Sequence, residues 1–512
     1  MQEHATLPKT DHTLSTRSSL FPAQGADAST SGLVFAAILA AIAAFRLAAL
    51  AANSTDLHMD EAQYWDWAQR PAFGYFSKPP LVAWIIHGAT AVCGDGEACV
   101  RLPSVLIHVG TAALVYAIAR RLYTPQVAFW SGLGYALLPA VSLSSGIMTT
   151  DVPLLAAWAL ALFEFAGLVQ RPNAADAILL ALALGLGLNA KYAMAYFIVC
   201  SAIYFAISPP ARKLLHGPHL WAALVAGTGL IVPNVLWNID NRFVTLSHTA
   251  DNAKWGGIPI HPGKAAEFVV SQFGVFGPIL FASLLVVTWR MLTRPENRIS
   301  ADELLIAFSV PIIALVTLQG LISRAHTNWA APAYVAAVVL VTAVVIRNHA
   351  WGWMRASFAI HIAVAVLIAI ATWQAGQFSL PGIGDPFART LGNRELANAV
   401  REEIASAANG GTAIRAILTD ERETAAALAY YARDIPLPQF AMRSGPAPQN
   451  HYEMTRPFAP GAPEPLLYVT RRALSAPADR FLSVSASSER SIRAGRKTET
   501  FRFFTLSAIE EK

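Results

Sequence analysis

The stretch "HMDEAQYWDWAQRPAFGYFSKPPLVAW", residues 58–84, sets Asp60, Glu61, Asp66 and Lys78 among large aromatic side chains. An acidic dipeptide is ordinarily solvated loop charge, and Trp and Tyr beside an apolar run ordinarily form an interfacial belt. The belt accounts for the rings but not for the acids among them. With Tyr64, Trp67 and Tyr75 crowding Asp60 and Glu61, the pattern suits a ligand with apolar faces and hydroxyl edges, as a sugar has. Lys78 precedes Pro79 and Pro80, whose rings fix the backbone and push the lysine toward an extended conformation. A compact ammonium on so stiff a platform suits a phosphate, the alternative being a lysine that snorkels to lipid headgroups.

Three later positions extend the set. Asp151, in "MTTDVP", reads as a helix N-cap with Pro153 at an early helical position, a structural role compatible with a chemical one. Lys191, in "GLGLNAKYAM", lies between apolar segments, where a charge is costly and is by default a functional candidate. In "SRAHTNWAAPAY", Arg324, His326 and Asn328 gather at the start of an apolar run, and helix N-termini favour anions. No His or Cys spacing matches a structural zinc site. A divalent metal at Asp60 and Glu61 is left open, since two adjacent acids do not by themselves make an ion site, and no cofactor is assigned.

The elements that must position these residues follow from composition. Of 512 residues, 54% are hydrophobic and 14% charged, and the mean hydropathy is +0.42, outside the range of a soluble domain. The fold class expected is a polytopic α-helical membrane protein. Candidate spans of about 20 residues fall near 32–52, 99–119, 126–146, 152–169, 175–190, 192–208, 219–237, 266–289, 303–322, 329–346 and 354–374, about eleven in all. The run "KPPLVAWIIHGATAV" suits an interfacial helix in the first outward loop. The first apolar run is too long for a signal-peptide core and reads as an uncleaved span; its Arg46 is either a snorkelling boundary charge or an intramembrane cation.

Alternate short loops carry Arg120 and Arg121, Arg171, Arg212 and Lys213, Arg290 with Arg294 and Arg298, and Arg347 with Arg355. By the positive-inside rule these face the cytoplasm, so the candidate residues all face outward. Residues 1–31 form a polar cytoplasmic tail, 32–375 a transmembrane domain, and 376–512 a small periplasmic α/β domain with strands in "AIRAILTD" and "PLLYVTRR" and a helix in "ERETAAALAYYAR". Cys93 and Cys99 flank "GDGEA" on the outward side, as a disulfide or as two free thiols. The net charge of +5 includes no basic tract that would suggest nucleic acid.

In order, "DEAQYWDWA", "GYFSKPPLVAW", "TTDVPLLAAW" and "GLGLNAKYAM" resemble the C-type glycosyltransferases of the dolichyl-phosphate-mannose protein mannosyltransferase group, which includes the bacterial transferase that adds aminoarabinose to lipid A. The resemblance covers roughly residues 32–340. It implies a polyprenyl-phosphate sugar donor, transfer on the outward face of a bacterial inner membrane, Asp60 as catalytic acid or base with Glu61 beside it, and Lys78 and Lys191 on the donor phosphate. Asp151 matches a second acidic position. A glycosyl phosphate carries its own leaving group, so one base and opposing cations suffice, with inversion at the anomeric carbon. The acceptor expected is an envelope lipid, glycan or protein. "HTNWAAPAY" does not map onto the aminoarabinose enzyme. The rival class is a transporter or flippase, which predicts ionisable groups inside the spans; a second rival is a ligase that transfers a whole glycan.

Overall fold

The computed structural model describes residues 28–253, 260–294, 299–377, 385–459, 461–472 and 481–509. Helices come first: α1 (Ala28–Ala51), α2 (Met59–Ala68), α3 (Leu81–Cys93), α4 (Glu97–Leu122), α5 (Pro125–Leu137), α6 (Pro139–Ser144), α7 (Asp151–Gln170) and α8 (Ala174–Ala190), followed by further apolar helices to Trp373. Among the described residues six helices are long and apolar enough to cross a membrane, and a bent pair makes a seventh. The expected spans at 175–190, 192–208 and 329–346 form shorter apolar helices, and 126–146 breaks between α5 and α6, where Pro139 offers no N–H to continue the ladder. The expected 266–289 span turns by 118° between Pro262–Val275 and Pro278–Thr293. Its corner is Gly277, with φ of +91°, a conformation only glycine adopts cheaply, directly before a proline.

Burial sorts the helices. The central window of α7 is 83% buried, whereas those of α1 and Trp351–Trp373 are 22% and 11% buried, so these two turn apolar faces outward to lipid. Arg46 on α1 does not snorkel: it is buried and donates through Nη2 to the Ala136 carbonyl, one of the acceptors orphaned where α5 ends.

Beyond residue 385 the chain builds a five-stranded sheet from β1 (Ala416–Thr419), β2 (Gln439–Ala441), β3 (Leu466–Thr470), β4 (Phe481–Ala494) and β5 (Lys497–Ile509), in the order β2-β1-β3-β5-β4. β1 runs parallel to β2 and β3, and β5 antiparallel to β3 and β4. Every residue of β1 and β3 is buried, which is why both read as continuous apolar runs in the sequence. The expected strands and the expected helix, here Arg422–Tyr431, are all present. The helix Asn393–Asn409 and the β4–β5 hairpin were not foreseen. Arg422–Tyr431 packs on α2, and this contact brings the C-terminal segment to the chemistry.

Candidate active site

The site begins with α2, a ten-residue helix of which eight residues are buried. Its first turn is a capping box built on a histidine: His58 Nδ1 accepts from the Asp60 N–H at 3.2 Å, and Glu61 Oε2 accepts from the His58 N–H at 2.9 Å. The two acids of "DE" then diverge. Glu61 is 1% exposed; its Oε1 accepts from Arg101 Nε (3.0 Å) and the Met148 N–H (2.9 Å), and its Oε2 also accepts from Arg101 Nη2 (2.9 Å). Arg101 spends its remaining donors on the Thr55 and Asp56 carbonyls and Thr55 Oγ1. Asp60 instead points to an open position, its side chain 40% exposed and paired with Arg422.

Lys78 lies on the loop joining α2 to α3. Asn234 Nδ2 holds the Phe73 carbonyl at 2.7 Å, and Thr245 Oγ1 holds that of Tyr75 at 2.7 Å. Gly74 lies flat against Trp237 and Asn234, where any Cβ would collide. Pro80 then caps α3. This loop presents Lys78 half-buried, with no hydrogen bond from its ammonium among the described residues. Burial pulls the Lys78 ammonium below the usual lysine range; Lys191 and Arg422 push the same way, and Asp60 and Asp151 oppose them. His248, ringed against Phe76 at 5.4 Å, is depressed to about 4 by burial, Lys78 and Arg422. His326 is lowered by burial, Arg324, Lys191 and Lys78. These mutual influences put Asp60, Lys78, Asp151, Lys191, His248, Arg324, His326 and Arg422 in one electrostatic neighbourhood.

Its far wall is made at helix ends. Asp151 opens α7, but its carboxylate is no cap: the N-cap is Thr150, which makes no side-chain cap bond. Asp151 Oδ1 receives Lys191 Nζ at 2.7 Å and Oδ2 receives Asn328 Nδ2 at 2.6 Å. Lys191 ends α8. At the opposite ends of the helices Arg347 and Tyr123 close on Asp302, at 2.8 and 2.7 Å, near the Arg120 and Arg121 pair of α4. The Asp151, Lys191 and Asn328 contacts therefore lie at one end of their helices, and Arg120, Arg121 and Arg347 at the other.

Residues 77–237 match the family described as dolichyl-phosphate-mannose-protein mannosyltransferase. The lipid A galacturonosyltransferase RgtD of Rhizobium johnstonii is 35% identical over 411 residues, 80% of this chain and 85% of the relative. The chain belongs to the C-type glycosyltransferases of the dolichyl-phosphate-mannose protein mannosyltransferase type. It is a multi-pass membrane glycosyltransferase. The lipopolysaccharide core galacturonosyltransferase RgtA of the same organism is 27% identical over 54% of this chain and 57% of its own. Among solved structures, ArnT from Cupriavidus metallidurans bound to undecaprenyl phosphate superposes with a TM-score of 0.64 at 15% identity, over 93% of this chain and 98% of that one. The apo form gives 0.60.

In this glycosyltransferase the aromatic expectation is corrected. Tyr64, Trp67 and Tyr75 are at most 3% exposed; Trp67 stacks on Tyr75 with centroids 4.5 Å apart, and Tyr64 packs on Trp67 at 5.1 Å. The Tyr75 hydroxyl donates to the Trp67 carbonyl and accepts from the Ala72 N–H. They are the core under the site and not its lining. Glu61 is likewise a positioning residue, because all its acceptor capacity is used. The metal left open at Asp60 and Glu61 does not fit these residues, since the two carboxylates serve different arginines; among the described residues no three His, Cys, Asp or Glu side chains are placed to hold an ion. Cys93 and Cys99 are bridged, with Cα atoms 5.9 Å apart. Asp95, inside that loop, accepts from Trp65 Nε1 at 2.7 Å, and Glu97 from Arg394 at 2.8 Å and from the Tyr431 hydroxyl. Sequence reading missed Arg101, His248 and Arg422. The H-x-x-E capping box and a lone Arg opening a span were visible signals for the first; Arg422 reaches Asp60 from 362 residues away and had none. A cavity of about 400 Å³ lies on the Arg101 side, between α1, α6 and Trp351–Trp373, and neither Asp60 nor Lys78 lines it.

Proposed function

We propose that this enzyme transfers galacturonic acid from a polyprenyl phosphate to a lipid A or lipopolysaccharide-core acceptor, on the periplasmic face of a bacterial inner membrane. The observation that carries the reading is the convergence of Asp60, Lys78, Asp151 and Lys191 in one electrostatic neighbourhood, with Asp151 and Lys191 at the helix ends opposite Arg120, Arg121 and Arg347. The sugar and acceptor classes are those of RgtD and RgtA, and the carrier is the lipid phosphate that ArnT binds in its solved complex. The Cys93–Cys99 bridge supports an oxidising compartment. The transmembrane part extends from α1, which begins at Ala28, to about residue 375 and precedes the periplasmic part; residues 1–27 of the expected tail lie outside the described residues.

In the reaction the acceptor hydroxyl oxygen attacks the anomeric carbon. The bond from that carbon to the phosphate oxygen breaks, and its electron pair leaves on the phosphate. Asp60 takes the hydroxyl proton. Lys78, whose ammonium makes no hydrogen bond among the described residues, and Lys191, steadied by Asp151, which Asn328 holds in turn, hold the departing charge. Arg324 and His326 flank the phosphate. Attack opposite the leaving group inverts the anomeric centre. A transporter would need ionisable groups along a path through the spans, whereas these sit at helix ends.

The test is reconstitution of the purified protein in liposomes containing lipid A with a polyprenyl-phosphate galacturonic acid donor, read by mass spectrometry of the lipid. A uronosyl mass added to lipid A, with release of polyprenyl phosphate, is expected. Turnover with a protein acceptor only, or translocation without transfer, would refute the reading.

A further inference from the structure

We propose that Arg422 determines sugar specificity: its guanidinium, brought to Asp60 by the C-terminal α/β segment, binds the carboxylate of the uronosyl donor. The inference rests on the donor reading above and goes beyond it by naming the residue that distinguishes an acidic sugar from a neutral one.

Several arginines join the C-terminal segment to α2, and they differ in kind. Arg456 Nη2, on a side chain 25% exposed, holds Asp66 at 2.5 Å, an acid 8% exposed. Arg433 lies over the rings of Trp65 and Tyr430 at 5.6 and 4.6 Å. Together with Arg394 and Tyr431 on Glu97, these dock the segment without Arg422. The Arg422–Asp60 pair is instead open, 30% and 40% exposed, and exposed pairs of this kind hold structures together weakly. Arg422 Nε donates to Gln63 Oε1 at 2.8 Å and Nη2 to Asp60, while Nη1 makes no hydrogen bond among the described residues. A half-used planar fork beside the proposed base is a ready partner for a second carboxylate, which it matches bidentately as a lysine cannot.

Charge counting points the same way. A polyprenyl-phosphate neutral sugar brings one negative charge, and Lys78 with the Asp151-steadied Lys191 meets it. A uronosyl donor brings two, and of the further cations at the site, Arg324 flanks the phosphate while Arg422 is the one paired with the proposed base. The guanidinium bonds Gln63 and Asp60 of α2, and its charge also acts on Lys78 and His248, so it belongs to the same charged region as the proposed phosphate-binding ammonium. Binding of the sugar carboxylate draws Arg422 from Asp60, which is then unencumbered when the acceptor hydroxyl arrives.

The experiment compares two donors, polyprenyl-phosphate galacturonic acid and polyprenyl-phosphate galactose, which differ by carboxylate against hydroxymethyl at C6. With full-length protein in proteoliposomes, wild type favours the acidic donor in kcat/KM. Arg422→Gln lowers that preference by about ten- to a hundredfold, the range of a charged hydrogen bond. Arg422→Lys, which keeps the charge and loses the fork, falls between and carries the test if the glutamine variant does not fold. If both donors lose kcat/KM in equal proportion, or the ratio is unchanged, Arg422 does not read the carboxylate. If wild type turns over only the neutral donor, the donor reading fails and the assignment fails with it.

Discussion

Replacing Glu61 by glutamine should unfold the site before it alters the chemistry. The carboxylate accepts four hydrogen bonds at 2.9 to 3.0 Å, two from Arg101 and one each from the Met148 and His58 N–H groups. An amide can keep one oxygen where it is, but its NH₂ then confronts two donors, and Arg101, 2% exposed, keeps a buried charge that has lost its paired carboxylate. Removing one partner of such a pair costs about 3–5 kcal/mol. At roughly 2–4 °C per kcal/mol for a folding unit of 150–250 residues, the melting midpoint should drop by on the order of 10 °C. The assay is thermal unfolding in detergent followed by tryptophan fluorescence, with turnover measured below the transition. Glu61→Leu with Arg101→Leu should recover part of the loss, giving a coupling of roughly 2 kcal/mol or more in a double-mutant cycle. Asp60→Asn, in contrast, breaks a half-exposed pair and should change stability by less than about 1 kcal/mol. Should Glu61→Gln melt like wild type and yet lose turnover, the division of labour argued for the two acids is wrong.

Two further outcomes follow from the same geometry. Because burial and neighbouring cations lower the Lys78 ammonium, the free enzyme sheds that charge as pH rises while still below the ordinary lysine value. The donor phosphate stays anionic, so kcat/KM should fall on the alkaline side; Lys78→Arg, which stays charged, should move that limb to higher pH, and an identical pH profile would contradict the assignment. Removing the Cys93–Cys99 bridge by paired serine substitutions should cost about 2 kcal/mol from so short a loop. It should also raise hydrogen exchange in the Arg422–Tyr431 helix, which leans on Asp95 and Glu97 through Tyr430 and Tyr431; unchanged exchange there would show that the loop does not organise the docking.

What the sequence made legible was set by local chemistry. Long apolar runs announced spans because lipid demands continuous hydrophobicity, and β1 and β3 were legible because a strand buried on both faces is apolar nearly throughout, each here ending in one buried threonine. Asp60, Lys78, Asp151 and Lys191 stood out because charges beside apolar segments are costly. The bend at Gly277 and the α5–α6 break were harder to read, since a proline inside an apolar run is tolerated when tertiary packing satisfies the freed groups. The roles of Tyr64, Trp67 and Glu61 were misjudged for one reason. Residue type marks them as suitable for a ligand, but which face of α2 is covered depends on the Arg422–Tyr431 helix, more than 350 residues downstream. Arg422 was invisible for the same reason.

The central claim is that Asp60 accepts the acceptor's proton at a site where Lys78 and Lys191 hold a lipid phosphate. Its most direct test is the single-turnover rate of sugar transfer in proteoliposomes by Asp60→Asn at saturating polyprenyl-phosphate donor, alongside donor affinity. A rate at least about a hundredfold below wild type, the scale of general-base catalysis, with donor still bound and the melting point retained, is the predicted result. Transfer at the wild-type rate would contradict the account.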